Sequence, residues 1–158
     1  MLRIEIDDTE VLAALQALRG RARDMRPAMA NIAAALASES ERQFQTESGP
    51  AGAWPELSQT TKELRERSGT TGRKLQVSGQ LAASVQTGFA EAEAWIGSNK
   101  PHAAMQHLGG TTSALSMIPG AQIPARPFLP FHPETNQLAP EATRTVLDVL
   151  EVYLEDGR

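Results

Sequence analysis

The chain has 158 residues, of which 41% are hydrophobic and 4% aromatic, and its formal net charge is −4. We expect one domain over residues 1–158 with an aliphatic core, and the acidic balance with scattered cations excludes the basic field of a sequence-specific nucleic-acid binder. The lack of cysteine excludes disulfides and thiol chemistry, and the lack of a signal-peptide core or membrane-length apolar stretch predicts a cytoplasmic product that does not enter a membrane.

The N-terminal third predicts a strand and two helices. Residues 2–6 alternate between apolar and charged side chains, as in a short half-buried strand. Asp7, Asp8 or Thr9 then caps a first helix, and Pro27 favours the first turn of a second. The apolar positions of the first helix are Val11, Leu12, Leu15, Leu18 and Ala22. Those of the second recur every three or four residues: Met29, Ile32, Ala33, Leu36, Ser40 and Phe44.

The middle of the chain predicts short elements joined by loops. Ser58 is placed to cap a helix that ends near residue 67. Residues 66–78 are polar and glycine-bearing, and we expect a flexible loop there. Alternation over residues 83–89, a turn near 91–93 and a second run at 94–98 predict a β-hairpin. A short helix over residues 102–108 is expected to end at Gly109 and Gly110.

The C-terminal part predicts an extended segment followed by a helix. Residues 119–133 are rich in proline, which excludes a helix or a central strand. Pro140 opens the last helix, whose apolar face is formed by Ala142, Val146, Val149, Leu150 and Tyr153. The whole pattern predicts an α+β fold in which a small antiparallel sheet packs against two N-terminal helices and a C-terminal helix, with extended loops.

The polar residues give no pattern typical of a reaction centre. His102 and His107 are five positions apart, which does not place them on one helix face as zinc ligands. The carboxylates fall on the expected solvated faces, so no acid–base pair is predicted. Residues 69–74 lack the ending of a phosphate-binding loop. We therefore expect no catalytic residue, cofactor or metal.

The most informative segment is the run from Ile123 to Phe131, which carries three prolines in seven residues together with large apolar side chains. A stiff apolar segment packs either on its own core or on a neighbouring subunit. Arg126, held between prolines, either anchors the segment to its own domain or contacts an acidic partner. The interface hypothesis predicts that alanine at Arg126 or Phe128 leaves a folded monomer that assembles poorly. Its residues are Arg73, Lys74, His107, Ile123, Pro124, Arg126, Pro127, Phe128 and Phe131.

Four blocks in one order carry a family resemblance. They are residues 52–61, residues 75–85 leading to 96–98, residues 102–110, and residues 123–129. This succession resembles the phage virion morphogenesis family, the tail completion proteins of Mu-like phages and their prophages. The chain departs from the family pattern with His102 in place of a tyrosine and with Pro130 where a small residue is common.

The resemblance implies a structural protein without enzymatic activity. It implies a small α+β component of the virion, at the head-proximal end of the tail or in the neck. This component would assemble in the bacterial cytoplasm as a ring of its own copies, with tail or neck proteins as further partners. Two alternatives remain open: a phage-encoded binding or regulatory module absent from virions, and a peptidoglycan hydrolase of the tail.

Overall fold

The computed structural model describes residues 9–70, 72–116 and 118–157, and the strand predicted over residues 2–6 lies outside them. The helices are α1 (Thr9–Arg23), α2 (Arg26–Thr46), α3 (Gln59–Arg67), α4 (Ala103–Leu108) and α5 (Pro140–Asp156). The strands form three antiparallel pairs: β1 (Ser48–Gly49) with β2 (Gly52–Ala53), β3 (Val85–Phe89) with β4 (Ala94–Ser98), and β5 (Gly110–Thr111) with β6 (Gln122–Ile123). The predicted α+β class is confirmed.

Helix α2 is the central element, because the β3–β4 hairpin and α5 both pack along it. Its proline lies in the first turn, as predicted, where a missing N–H costs no hydrogen bond. The helix is capped by the next residue, Glu47, which adopts a left-handed conformation (φ 52°) and donates its backbone N–H to the carbonyl oxygen of Gln43. The buried face of α2 is formed by Ala28, Ile32, Ala33, Leu36, Ser40, Gln43 and Phe44.

The core consists of two clusters, one on each half of α2. Ile32 and Leu36 pack with Ala139 and Ala142, and side chains of β4 and α5 surround them. Towards the end of α2, Phe44 packs with residues from distant parts of the sequence. These are Trp54, Leu81, Ala103 and Phe128. The second cluster therefore holds the proline-rich segment against α2.

The smaller elements follow local rules. Ser58 caps α3 as predicted, with its hydroxyl oxygen accepting the backbone N–H of Thr61 at 3.2 Å. Strand β3 begins at Val85 rather than at 83, because Ala82–Ser84 form a 3₁₀ turn. The hairpin register then runs from Val85 opposite Ser98 to Phe89 opposite Ala94.

Helix α1 has no buried residue, although its apolar stripe lies where the sequence predicts a helix. The side chains of Val11, Leu12, Leu15 and Leu18 are 41–60% exposed. Helix α1 contacts α5, and the Tyr153 hydroxyl of α5 donates to the carbonyl oxygen of Asp24, just after α1. Within the described ranges no helix is both long and apolar enough to cross a bilayer.

Candidate interaction site

The segment from Arg126 to Pro130 is buried against its own chain. Phe128 is 0% exposed and packs on Phe44, with ring centroids 5.4 Å apart. Ser40 of α2 donates its hydroxyl to the carbonyl oxygen of Phe128 at 2.6 Å, and the indole of Trp54 donates to the carbonyl oxygen of Pro127 at 2.7 Å. Side chains thus satisfy backbone carbonyls that have no sheet partner.

Arg126 anchors this segment to the loop before α3. The guanidinium donates to the carbonyl oxygens of Pro55 (Nε, 3.0 Å) and Glu56 (Nη2, 2.9 Å). Burial lowers the pKa of Arg126, and the nearby Glu56 carboxylate opposes that effect, so the side chain stays cationic at neutral pH. Of the two roles considered for Arg126, these contacts are those of an anchor within its own chain.

His107 supports the same segment from α4. Its Nδ1 accepts the backbone N–H of Phe128 at 3.3 Å and that of Leu129 at 3.5 Å, and its ring meets the Phe128 ring edge-on. Burial lowers the pKa of His107. A protonated Nδ1 cannot accept a hydrogen bond, so the neutral imidazole is the form that fits this position.

Arg73 and Lys74 connect the loop of residues 66–78 to the C-terminal end of α2. Arg73 donates to the carbonyl oxygen of Gln45 at 3.0 Å, one of the carbonyls that a helix end leaves unpaired. The Lys74 ammonium lies 2.6 Å from a Glu56 carboxylate oxygen and 3.6 Å from one of Glu47. Lys74, by hydrogen bonding and charge, lowers the pKa of the Glu56 carboxyl. The flexibility predicted for residues 66–78 stays a prediction.

An open groove of about 700 Å³ lies between α3 and the segment 118–126. Leu64 of α3, Val77, Ile118 and Ile123 are among the apolar residues that line it. Leu64, Val77 and Ile118 are each half-exposed. Further apolar lining comes from Leu57, Leu75, Leu81, Ala121 and Pro124. The groove is therefore an accessible and mainly apolar concavity, of the kind that binds an apolar side chain or peptide segment.

The charged residues lining the groove are bonded within the chain. Glu56 pairs with Lys74, Arg65 donates to the carbonyl oxygen of Gly72 at 2.9 Å, and Arg126 is bonded as described. His102, also in the lining, is exposed. These bonds fix the charged side chains to their own chain, and the rest of the lining is mainly apolar.

The nine residues predicted for an interface thus fall into three groups by burial. His107, Arg126, Pro127 and Phe128 are buried in the chain, while Arg73 and Pro124 are exposed and Lys74, Ile123 and Phe131 are partly buried. Ile123, Pro124 and Arg126 come together in the groove. Sequence reasoning missed Leu64, Val77 and Ile118, because they come from three separate segments that only the tertiary fold brings together.

Within residues 9–70, 72–116 and 118–157, no three His, Asp or Glu side chains are grouped as a metal site would require. The polar contacts of this region instead hold backbone segments in place. What the groove offers chemically is an apolar concavity to which Ile123 and Pro124 of the proline-rich segment contribute.

Comparison with known proteins gives one family and several relatives. The model of the phage virion morphogenesis family matches residues 6–155. Mu-like prophage FluMu G protein 2 of Haemophilus influenzae is 32% identical over 98% of this chain and 97% of its own length. FluMu G protein 1 of the same organism is 32% identical over 67% of this chain and 68% of its own length. The putative capsid assembly protein G of Escherichia phage Mu is 31% identical over 81% of this chain and 82% of its own length. No solved structure matches the chain.

Proposed function

The chain belongs to the phage virion morphogenesis family, and we propose that it is a structural virion protein that completes the tail at its head-proximal end. In this proposal it helps to form the head–tail junction as a ring of its own copies in contact with tail or neck proteins. The observation that carries the virion-assembly role is the family match over residues 6–155, together with a relative that aligns over nearly its whole length.

The distribution of exposed apolar residues supports an assembling protein. Helix α1 presents an apolar stripe to solvent, and the groove beside α3 exposes a second apolar surface. Groups of exposed apolar residues mark interaction sites more often than apolar residues scattered singly over a surface. These two surfaces come from different parts of the sequence, and a subunit with two such surfaces is suited to contact more than one neighbour.

Deleting the gene in the phage or prophage that encodes the chain tests the proposal. We expect filled heads and separate tails to accumulate, and joined particles to return when the gene is supplied from a plasmid. Cryo-electron microscopy of wild-type particles should show the protein at the junction, and mass spectrometry should detect it in purified virions. Joined, infectious particles from the deletion strain would reject the proposal.

Other outcomes identify the alternatives. A protein missing from purified virions points to the regulatory module. The name of the phage Mu relative refers to capsid assembly, so aberrant or empty heads with normal tails would place this chain's role in the head. Clearing of cell walls by the purified protein would point to a hydrolase.

A further inference from the structure

We propose that the groove beside α3 binds the arm of a second copy of this chain, with Leu115 as the residue that enters it. The arm is the stretch 110–123, which consists of the paired strands β5 and β6 and the residues that join them. This inference rests on the proposed ring and names the contact between its subunits.

Leu115 is 98% exposed, more than any other large hydrophobic residue in the described chain. It lies in a turn in which Ser116 donates its backbone N–H to the carbonyl oxygen of Ser113 at 3.1 Å. The arm is closed below the turn, where Thr112 donates its N–H to the carbonyl oxygen of Ala121 at 3.0 Å. The leucine is therefore presented on a hydrogen-bonded support, which lowers the entropy lost when it binds.

The arm carries no charge to place in the groove. Residues 108–125 contain no ionisable side chain, although 22% of the whole sequence is charged. The charged residues that line the groove are bonded within their own chain: Glu56 to the Lys74 ammonium, and Arg65 and Arg126 to backbone carbonyl oxygens. An uncharged arm that enters the groove can leave these bonds in place, and it brings no charged side chain out of water.

The geometry favours a second copy over the same chain. Ile118, Ala121 and Ile123 of the arm form part of the groove wall, while Leu115 of the same arm is left in solvent. Because the arm lines the groove of its own chain without placing Leu115 in it, the groove stays open to Leu115 of a second copy. Each copy then inserts its own Leu115 into the groove of one neighbour and receives Leu115 of another neighbour in its own groove. Such head-to-tail contacts close into a ring when the rotation between successive subunits permits.

Cysteine crosslinking tests the contact directly, because the chain has no natural cysteine. Purified Leu115→Cys protein is mixed with Leu64→Cys protein and oxidised, and dimers are identified by non-reducing gels and peptide mass spectrometry. Leu147→Cys is the matched control, because Leu147 on α5 is 59% exposed and Leu64 is 58% exposed. We expect the 115–64 disulfide to exceed the 115–147 disulfide at least tenfold.

A second measurement uses charge. Leu115→Asp and Leu64→Asp should each weaken self-association in sedimentation velocity at least tenfold, with unchanged circular dichroism, while Leu147→Asp should associate as the wild type does. In a mixture of the two variants, the arm of Leu64→Asp and the groove of Leu115→Asp are both intact. We therefore expect dimers that contain one chain of each variant, and no larger species.

The outcomes separate this inference from the proposed function. Equal crosslinking to residues 64 and 147, dominant 115–115 disulfides, or normal assembly of Leu115→Asp would overturn the arm-in-groove contact. If Leu115→Asp also restores joined phage particles in the deletion strain, the virion role stands without this contact. If the protein is absent from virions while the purified chain crosslinks as expected, the contact stands and the proposed function fails.

Discussion

The indole N–H of Trp54 donates to the carbonyl oxygen of Pro127 at 2.7 Å, although 73 positions separate the two residues. Proline has no backbone N–H, so the segment around Pro127 cannot join a regular ladder. The structure instead fixes its carbonyls with side chains from other elements, including Ser40 of α2. These side chains hold the proline-rich segment directly after Arg126, the last of its residues to line the groove.

Replacing Trp54 with phenylalanine keeps an aromatic ring in the core but removes the donor. The buried carbonyl of Pro127 then loses its partner, and we expect the free energy of unfolding to fall by about 1–3 kcal/mol. Urea denaturation followed by circular dichroism measures the change. Trp95→Phe is the control, because Trp95 is half-exposed on the hairpin; equal losses in the two variants would contradict the role given to this hydrogen bond.

Gly49 is required where β1 passes the same carbonyl. A Cβ atom at Gly49 would lie 2.2 Å from the Pro127 oxygen and 3.2 Å from Nε1 of Trp54. The clash is with backbone, so Gly49→Ala should destabilise the fold by about 1–3 kcal/mol. Gly97→Ala in β4 meets nothing within 4 Å and should leave the thermal midpoint nearly unchanged. A wild-type midpoint for Gly49→Ala would show that the segment moves aside easily.

The elements of the fold were largely predictable because local signals define them. Ser58 before α3 and Pro140 at the start of α5 act within one helical turn. The surroundings of the proline-rich segment were not predictable, because a stiff apolar segment looks the same whether it packs on its own core or on a neighbour. Locating the donors Trp54 and Ser40 decides that question, and both are distant in sequence.

Helix α1 also shows that the sequence does not predict which surface an apolar face packs against. Its apolar spacing correctly predicts a helix, but Leu15 and Leu18 remain exposed in the chain. Periodicity reports that a face is to be covered and does not report what covers it. The groove gave still less signal, since Leu64, Val77 and Ile118 come from separate segments that only the tertiary fold brings together.

Phe128→Ala is now expected to act on the monomer. The side chain is fully buried beside Phe44 and Trp54, so its removal should cost about 3–5 kcal/mol of unfolding free energy. This replaces the expectation from sequence that the variant folds normally and fails only in assembly. Phe89→Ala, at a half-exposed position, is the control. If Phe128→Ala has wild-type stability but does not assemble, the original prediction of Phe128 as an interface residue would be supported.

Arg126→Met keeps an apolar stem of similar length but removes the donors to Pro55 and Glu56. Hydrogen bonds from a charged donor typically stabilise by about 1.5–3 kcal/mol, and we expect a loss in that range. Arg126→Lys should not restore it, since one ammonium cannot reproduce the planar fork that reaches both carbonyls. Arg144→Met on the exposed face of α5 is the control. A stable Arg126→Met monomer with impaired assembly would favour the partner-contact role.

His107 should make stability depend on pH. Burial lowers its pKa in the folded state below the ordinary value of 6.5, so near that value the unfolded chain binds more protons than the folded one. Stability from the neutral ring is therefore complete above pH ~6.5 and is lost as pH falls towards the lowered pKa of the folded state. Urea unfolding at intervals from pH 8 to 5.5 should show this decline in the wild type.

His107→Asn removes the titration and places a side-chain oxygen near the Phe128 N–H that Nδ1 accepts. The variant should start less stable at pH 8, because the buried ring is lost, and its unfolding free energy should change less as the pH falls. The difference in unfolding free energy between the wild type and the variant should then become smaller towards pH 5.5. His132→Asn, which leaves the buried imidazole in place, should keep the wild-type slope. A gap that stays constant or widens would mean that protonated His107 fits the fold as well as the neutral form does.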